Sequence, residues 1–280
     1  MTREKQIFKT GSTTYYWSSA FFPERTREDV FKLYSFVRIA DNFVDATPQD
    51  IKSFIQLKKA WNKIVKDGKA PSKRLHSDSR LAVLNMHEVY TKYTFSKEWI
   101  TAFLDAMQAD TVKKEYRTLK ETQAYMYGSA EVIGLMMAKI IGVPKEGYEA
   151  ARIQGRAMQY INFIRDIAED VSLGRQYIPT SELKLYGLPS LSVDDAYRHP
   201  AAFRECIEAQ VARYAQWQEQ ANRGFKYIPR TQRIALRTAV DMYNWTAQSI
   251  AKNPFIVFDK KIKPSKSRVV ARALVRSIHA

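Results

Sequence analysis

Cysteine is nearly absent from this chain. Cys206 is the only one, which excludes an internal disulfide framework and a multi-cysteine metal site and is compatible with a reducing compartment. Histidine is scarce as well. His76, His87, His199 and His279 form no Glu-x-x-His pair, so the di-iron carboxylate centre of some helical bundles is not encoded; they read as surface or loop residues. There are only ten glycines, and neither a Gly-x-Gly-x-x-Gly nor a P-loop fingerprint of a nucleotide site occurs. Long hydrophobic runs are missing: the longest, VIGLMMAKIIGV, is interrupted by Lys139 and falls short of the ~20 residues needed to span a bilayer. The amino terminus, MTREKQIFKTGSTT, has no apolar signal core. Acidic residues are outnumbered by basic ones, 29 to 45, for a net charge of +16.

What is present is helical periodicity. Apolar residues recur near every 3.6 positions, and strand alternation is rare. The pattern predicts helices over residues 27–46, 50–66, 79–93, 97–113, 119–141, 146–171, 201–224 and 230–251. Breaks fall at Asp67-Gly68 with Pro71, at Gly142 and Pro144, and across 172–200 with Pro179, Gly187, Pro189 and Pro200. None resembles a flexible linker. The expected architecture is all-α: one domain over residues 1–280, a bundle around a central cavity, with a basic tail from about 260 onward.

Within those helices the acids are paired. Asp41 and Asp45 lie four apart in RIADNFVD, and Asp166 and Asp170 four apart in QYINFIRDIAED. Each pair stacks two carboxylates on one helix face, which costs a few tenths of a kcal/mol unless a cation intervenes. Tyr34 and Arg38 extend the first stripe backwards, and Gln159 and Asn162 the second. The flanking positions are apolar, so both stripes look inward. Oxygen donors of this kind select a hard cation such as Mg²⁺, with Mn²⁺ as a substitute, whose remaining positions go to water and phosphate. Arg38, Arg165 and Arg175 are placed to fork onto phosphate. In YMYGSAEVIGLMMAKIIG, Tyr125, Ser129, Val132 and Met136 are expected to share a face, as core or as cavity wall. Cys206 reads as a packed thiol.

LYSFVRIADNFVD, AMQYINFIRDIAEDVSLGRQYIP and YRTLKETQAYMYGSAEVIGLMM together resemble the phytoene synthase and squalene synthase family, the head-to-head isoprenoid synthases. The resemblance is collinear over residues 12–262. It implies an isoprenoid-synthase fold, Mg²⁺ dependence and prenyl diphosphate substrates. By position it makes Asp41, Asp45, Asp166 and Asp170 the metal ligands. Arg38, Arg165 and Arg175 would contact diphosphate. Ser12 and Thr14 match small hydroxyl residues near it, and Lys261 a basic residue that closes its site. Tyr34, Tyr125, Gln159, Asn162 and Tyr243 would line the pocket, Tyr125 and Tyr243 turning their ring faces to a cation. The chain departs from the family pattern in three places: Asn42 replaces an Asp, Gly11 stands where some members carry His, and Glu131 replaces a small Gly. Glu131 either points away from the tunnel or reshapes it.

The implied reaction joins two prenyl diphosphates through a cyclopropyl diphosphate. Proton loss gives phytoene from two geranylgeranyl diphosphates, the favoured expectation. Farnesyl diphosphate with NADPH gives squalene; a dehydrosqualene or presqualene diphosphate synthase, and a non-catalytic membrane-associated member, are the alternatives. Nucleic acid is disfavoured as a partner, because paired acids repel phosphate without metal. A cytoplasmic protein with peripheral membrane contact is expected. The tail KKIKPSKSRVVARALVRSIHA carries Val269, Val270, Ala273 and Leu274 at helical spacing, suited to a membrane surface or to docking on the bundle. The oligomeric state is left open.

Overall fold

The computed structural model describes residues 2–259 and 262–278. Among them the regular structure is helical, apart from one isolated parallel bridge between Glu115 and Gln176. Two short helices open the chain, α1 (Arg3–Gly11) and α2 (Thr13–Ser19). The next four are longer: α3 (Glu24–Asp45), α4 (Ile51–Asp67), α5 (Ser77–Tyr93) and α6 (Lys97–Ala109). Asp50 starts α4 by accepting the Ser53 amide (3.0 Å), and Gly68, at φ 65°, ends it; both are ordinary capping chemistry. A bulky cluster fixes this half. Phe36 on α3 packs on Trp61 of α4 and Phe103 of α6, all three buried.

The second half is built around one buried helix. α7 (Leu119–Met126) and α8 (Val132–Ile140) are joined by a π turn, Tyr127–Glu131. α9 (Tyr148–Arg165) and α10 (Ile167–Ser172) come next, then two short helices, α11 (Thr180–Leu185) and α12 (Val193–Arg198). The chain ends with α13 (Pro200–Asn222), α14 (Arg230–Lys252), α15 (Ile256–Asp259) and α16 (Lys266–Ile278). α9 packs against α8, α13 and α14. α8 approaches it closely because Gly134 and Gly155 sit at the crossing: a Cβ on Gly134 would stand 2.3 Å from the Ala151 carbonyl oxygen, and one on Gly155 2.4 Å from that of Ala130.

Two expected helices are not continuous. The 119–141 segment carries the π turn, which inserts a residue and rotates the downstream helix by about 100°. Val132 and Met136 are therefore buried in the core, while Ser129, Ala130, Ile133, Gly134 and Met137 face the cavity. The 146–171 segment breaks at Asp166 (φ −99°, ψ 16°). The main chain keeps its register there, since Asp166 N–H donates to Asn162 O and Asp170 N–H to Asp166 O, both at 2.8 Å.

The basic tail is docked. Val269 and Ala273 are fully buried, and α16 lies on α2 and α14. Arg272 and Arg276 both donate to Asp241 at 2.7 Å, Lys266 sits 4.1 Å from the Trp17 ring centroid, and Arg268 4.6 Å from that of Trp245. Of the apolar residues named in the tail, Val269 and Ala273 are used for packing, while Leu274 is exposed. No helix among the described residues is long and apolar enough to cross a membrane.

Candidate active site

α3 delivers Tyr34, Arg38, Asp41 and Asp45 on successive turns of one face. Arg38 donates to Asp41 at 2.6 Å. Burial, then the neighbouring Asp45, pushes the Asp41 carboxyl up to about 6. On the other wall Arg165 forks onto Asp166, with Nε to Oδ1 at 2.9 Å. Burial, then Asp166, raises Asp170 to about 8.

Arg175 joins the two walls. Gly174, at φ 67°, turns the chain after α10, and Gln176 N–H donates to Lys114 O (2.8 Å) while Thr180 N–H donates to Tyr116 O (2.9 Å). Held in this way, Arg175 donates to Asp45 (2.5 Å) and to the Val44 carbonyl (2.7 Å). Asp45 also contributes to the upward shift of Asp170. The two aspartate pairs thus face one another with arginines among them. Among the described residues, no three carboxylate, imidazole or thiol groups already stand as a metal-ligand cluster; Asp41, Asp166 and Asp45 are engaged by Arg38, Arg165 and Arg175 instead.

Beside this polar mouth lies an apolar cavity of about 260 Å³. Tyr34, Gln159 and Asn162 line it, and Asn162 Oδ1 is buried without a hydrogen-bond partner. Lining residues continue down α9 through Gly155 and Ala151 to Ala150. From Asn162 to Ala150 is about 18 Å at 1.5 Å per residue. The deep end is closed by Phe225 and Ile228 beside small residues, Gly147, Ala221 and Gly224.

The remaining expected residues are distributed around this frame. Ser12 caps α2 by accepting the Tyr15 amide (3.3 Å), and Thr14 is half-buried beside it. Tyr243 on α14 is buried against Tyr15, ring centroids 5.7 Å apart. Burial raises its phenol, and Arg165 opposes the rise. Tyr125 stands just outside the cavity wall, its ring 5.3 Å from Tyr177 and its hydroxyl donated to Asp110. Lys261 lies outside the described residues. The direction of Glu131 is settled: it is 1% exposed and paired with Arg152 (3.1 Å) and Arg156 (2.6 Å), away from the cavity. Cys206 is buried, and burial pushes its thiol up to about 12, the inert state of a packed thiol.

Tyr15, Tyr177 and Asp110 were missed by sequence reasoning. Tyr15 lines the cavity and donates to Met158 Sδ (2.9 Å). Tyr15 and Asp110 belong to no repeated spacing; Tyr177 lies inside AMQYINFIRDIAEDVSLGRQYIP, the motif that carries the resemblance, where it was given no role.

A helical bundle with two opposed aspartate pairs, forked arginines and a greasy cavity behind them has the make-up of an isoprenoid synthase. A profile of the squalene/phytoene synthase family matches residues 8–268, and the chain belongs to that family of head-to-head prenyl diphosphate condensing enzymes. It is 24% identical over 275 residues to the 15-cis-phytoene synthase of Synechococcus elongatus, covering 92% of this chain and 85% of that one. It is 27% identical over 230 residues to the presqualene diphosphate synthase of Rhodopseudomonas palustris, covering 79% of each. It spans only 65% of phytoene synthase 3 of Zea mays. Among solved structures, a dehydrosqualene synthase superposes with a TM-score of 0.84 at 22% identity, over 99% of this chain and 94% of that one. The squalene synthase HpnC of Alicyclobacillus acidocaldarius gives 0.75 at 19%, over 90% and 93%.

Proposed function

We propose that this protein is a Mg²⁺-dependent phytoene synthase that condenses two geranylgeranyl diphosphates head to head. The depth of the cavity carries the choice of substrate. Three backbone bonds span at most about 3.6 Å, so a four-bond isoprene unit spans about 4.8 Å. On that scale a C20 chain reaches about 19 Å and a C15 chain about 14 Å, against about 18 Å of lined α9.

The donor set fits a hard divalent cation. Four carboxylates converge from two helices, and Asp41 and Asp170 are held above the usual carboxylate range by burial and by each pair's own repulsion. A cation at either pair relieves that repulsion. Asp41, Asp45, Asp166 and Asp170 would hold Mg²⁺, with Mn²⁺ as a substitute; when bound, it neutralises charge on the diphosphate and makes it a better leaving group.

The chain's own residues do the rest. Arg38, Arg165 and Arg175 release their aspartates to donate to diphosphate oxygens, at an end of the cavity that includes Tyr34 and Asn162. Ile133, Met137, Leu236 and Ala239 line the hydrocarbon's path and keep water from the allylic cation that ionisation leaves. Tyr15 and Tyr34 line the cavity and would turn ring faces to positive charge, while Tyr243, expected in that role, lies behind Tyr15 and outside the lining. The second substrate's double bond attacks the cation, and loss of a proton from the carbon that ionised closes the ring of a cyclopropyl diphosphate. A second ionisation expels the remaining diphosphate, rearrangement makes the bond that joins the two C1 carbons, and loss of a proton leaves the central double bond. With two farnesyl diphosphates, hydride from NADPH in place of the final proton loss would end the reaction at squalene.

The likeness to a presqualene diphosphate synthase and to a dehydrosqualene synthase keeps a C15 reading as the second choice. One assay separates the two: the protein with Mg²⁺ and radiolabelled C15 or C20 diphosphate, with and without NADPH. Phytoene from the C20 substrate alone is expected. No turnover of either substrate by a folded protein would sink the enzyme reading. Asp41→Ala and Asp166→Ala should each abolish product while the helical circular dichroism is unchanged.

A further inference from the structure

Asp110 belongs to neither acidic pair. It terminates α6 and is 3% exposed. Its carboxylate accepts the hydroxyls of two tyrosines, Tyr125 and, at 3.3 Å, Tyr177. Its carbonyl accepts from Gln49 Nε2 (3.4 Å), and the same amide donates to Val44 O at 2.7 Å. Val44 O is also where Arg175 docks. Asp110 is therefore tied to the carboxyl end of α3 through its main chain and to the Gly174–Tyr177 turn through its side chain.

Four rings surround this carboxylate. Tyr177 stacks on Phe163 at 4.3 Å, on Tyr125 at 5.3 Å and on Tyr116 at 5.8 Å. A buried carboxylate in such a wall costs several kcal/mol unless hydrogen bonds hold it, and two phenols and a nearby guanidinium do so. Burial lifts its carboxyl to about 7, against the Tyr125 hydrogen bond and Arg175, while Asp45 and Asp41 add to the rise. Its surroundings are not saturated as a purely structural network would be: Tyr116 Oη and Arg175 Nε, both within its electrostatic reach, are buried without partners. Orphaned buried polar atoms are rare in native structures and concentrate where function needs them.

The geometry points to Asp110 as a positioning residue for the head-to-head reaction: it fixes the phenol oxygen of Tyr125 beside the cavity and holds the Tyr177–Arg175 segment in register with Asp45. Tyr125 lies one helical turn before Ser129, which lines the cavity. Asp110 touches no part of the cavity itself and acts through its neighbours. The role rests on the proposed family reaction.

Asp110→Asn keeps the volume and one acceptor oxygen but turns an amide toward one phenol. With Mg²⁺ and the C20 substrate, kcat should fall about tenfold or more, while KM stays within about threefold. Binding of an unreactive C20 thiolodiphosphate, measured by calorimetry, should likewise stay within about threefold. Because Asp110 acts in part through Tyr125, the loss in the Asp110→Asn/Tyr125→Phe double variant should be smaller than the product of the two single losses. A kcat within about twofold of the parent, or losses that multiply in the double variant, would overturn the role. If Asp110→Asn does not fold, Tyr177→Phe decides: a smaller loss of kcat at unchanged KM supports the role, and unchanged kcat overturns it. A parent protein that binds neither the C15 nor the C20 thiolodiphosphate would instead refute the family reaction itself.

Discussion

Asp170, one of the proposed metal ligands, is a carboxylate held at the expense of stability. Its folded pKa is raised to about 8 by burial and by Asp166, above the ordinary unfolded value of about 3.9. Between those values the unfolded chain releases its proton more readily than the folded one, so this group makes the metal-free protein less stable as pH rises from 4 toward 8. Asp170→Asn removes that contribution. The metal-free variant should melt a few degrees above the parent at pH 8.5 and close to it at pH 4.5, with no gain once Mg²⁺ and diphosphate are added. A lower melting temperature at pH 8.5 would count against the electrostatic account. Glu131 is the opposite case, a buried carboxylate whose partners are both on α9. Glu131→Ala leaves Arg152 and Arg156 without it and should cost about 1–3 kcal/mol by urea denaturation. Since the side chain points away from the cavity, the product profile should not change.

At the scale of elements, two interruptions do what straight helices would not. The π turn of Tyr127–Glu131 re-aims the whole of α8, which is why Ile133 and Met137 reach the cavity rather than Val132 and Met136. Apolar periodicity carries no mark of that inserted residue, because both faces are greasy. The break at Asp166 moves the second acidic pair off a regular helix while keeping its i,i+4 hydrogen bond. α16 was legible only as an amphipathic segment. Its fate was settled by Asp241, Trp17 and Trp245, residues distant in sequence. Burial alone would raise the Asp241 carboxyl, and the Arg276 and Arg272 hydrogen bonds overcome this and hold it below its usual range. Asp241→Ala should loosen α16, costing about 1–2 kcal/mol and speeding amide exchange over residues 266–278 more than elsewhere; uniform exchange across the chain would show that the docking is not local.

At the scale of the whole molecule, substrate length is a matter of where the cavity stops. Ala150 stands at the far end of the lined face of α9, against Gly224. Ala150→Leu should shorten the cavity and shift the preference from C20 toward C15 by about tenfold, since a few buried methylenes are worth about 1–3 kcal/mol in a pocket. Competition between the two labelled substrates measures this, and an unchanged ratio would place the limit elsewhere.

The sequence by itself determined most of the long helices, the paired carboxylates and the arginines near them. These arise from spacings of three and four, which a helix turns into a face whatever surrounds it. Only the tertiary structure decided that the pairs oppose one another, because the link from Arg175 to Asp45 joins residues 130 positions apart. It also decided the direction of Glu131, the docking of α16, the place of Asp110 and the depth of the cavity. Each of those depends on contacts between distant segments, and short-range periodicity holds no record of them.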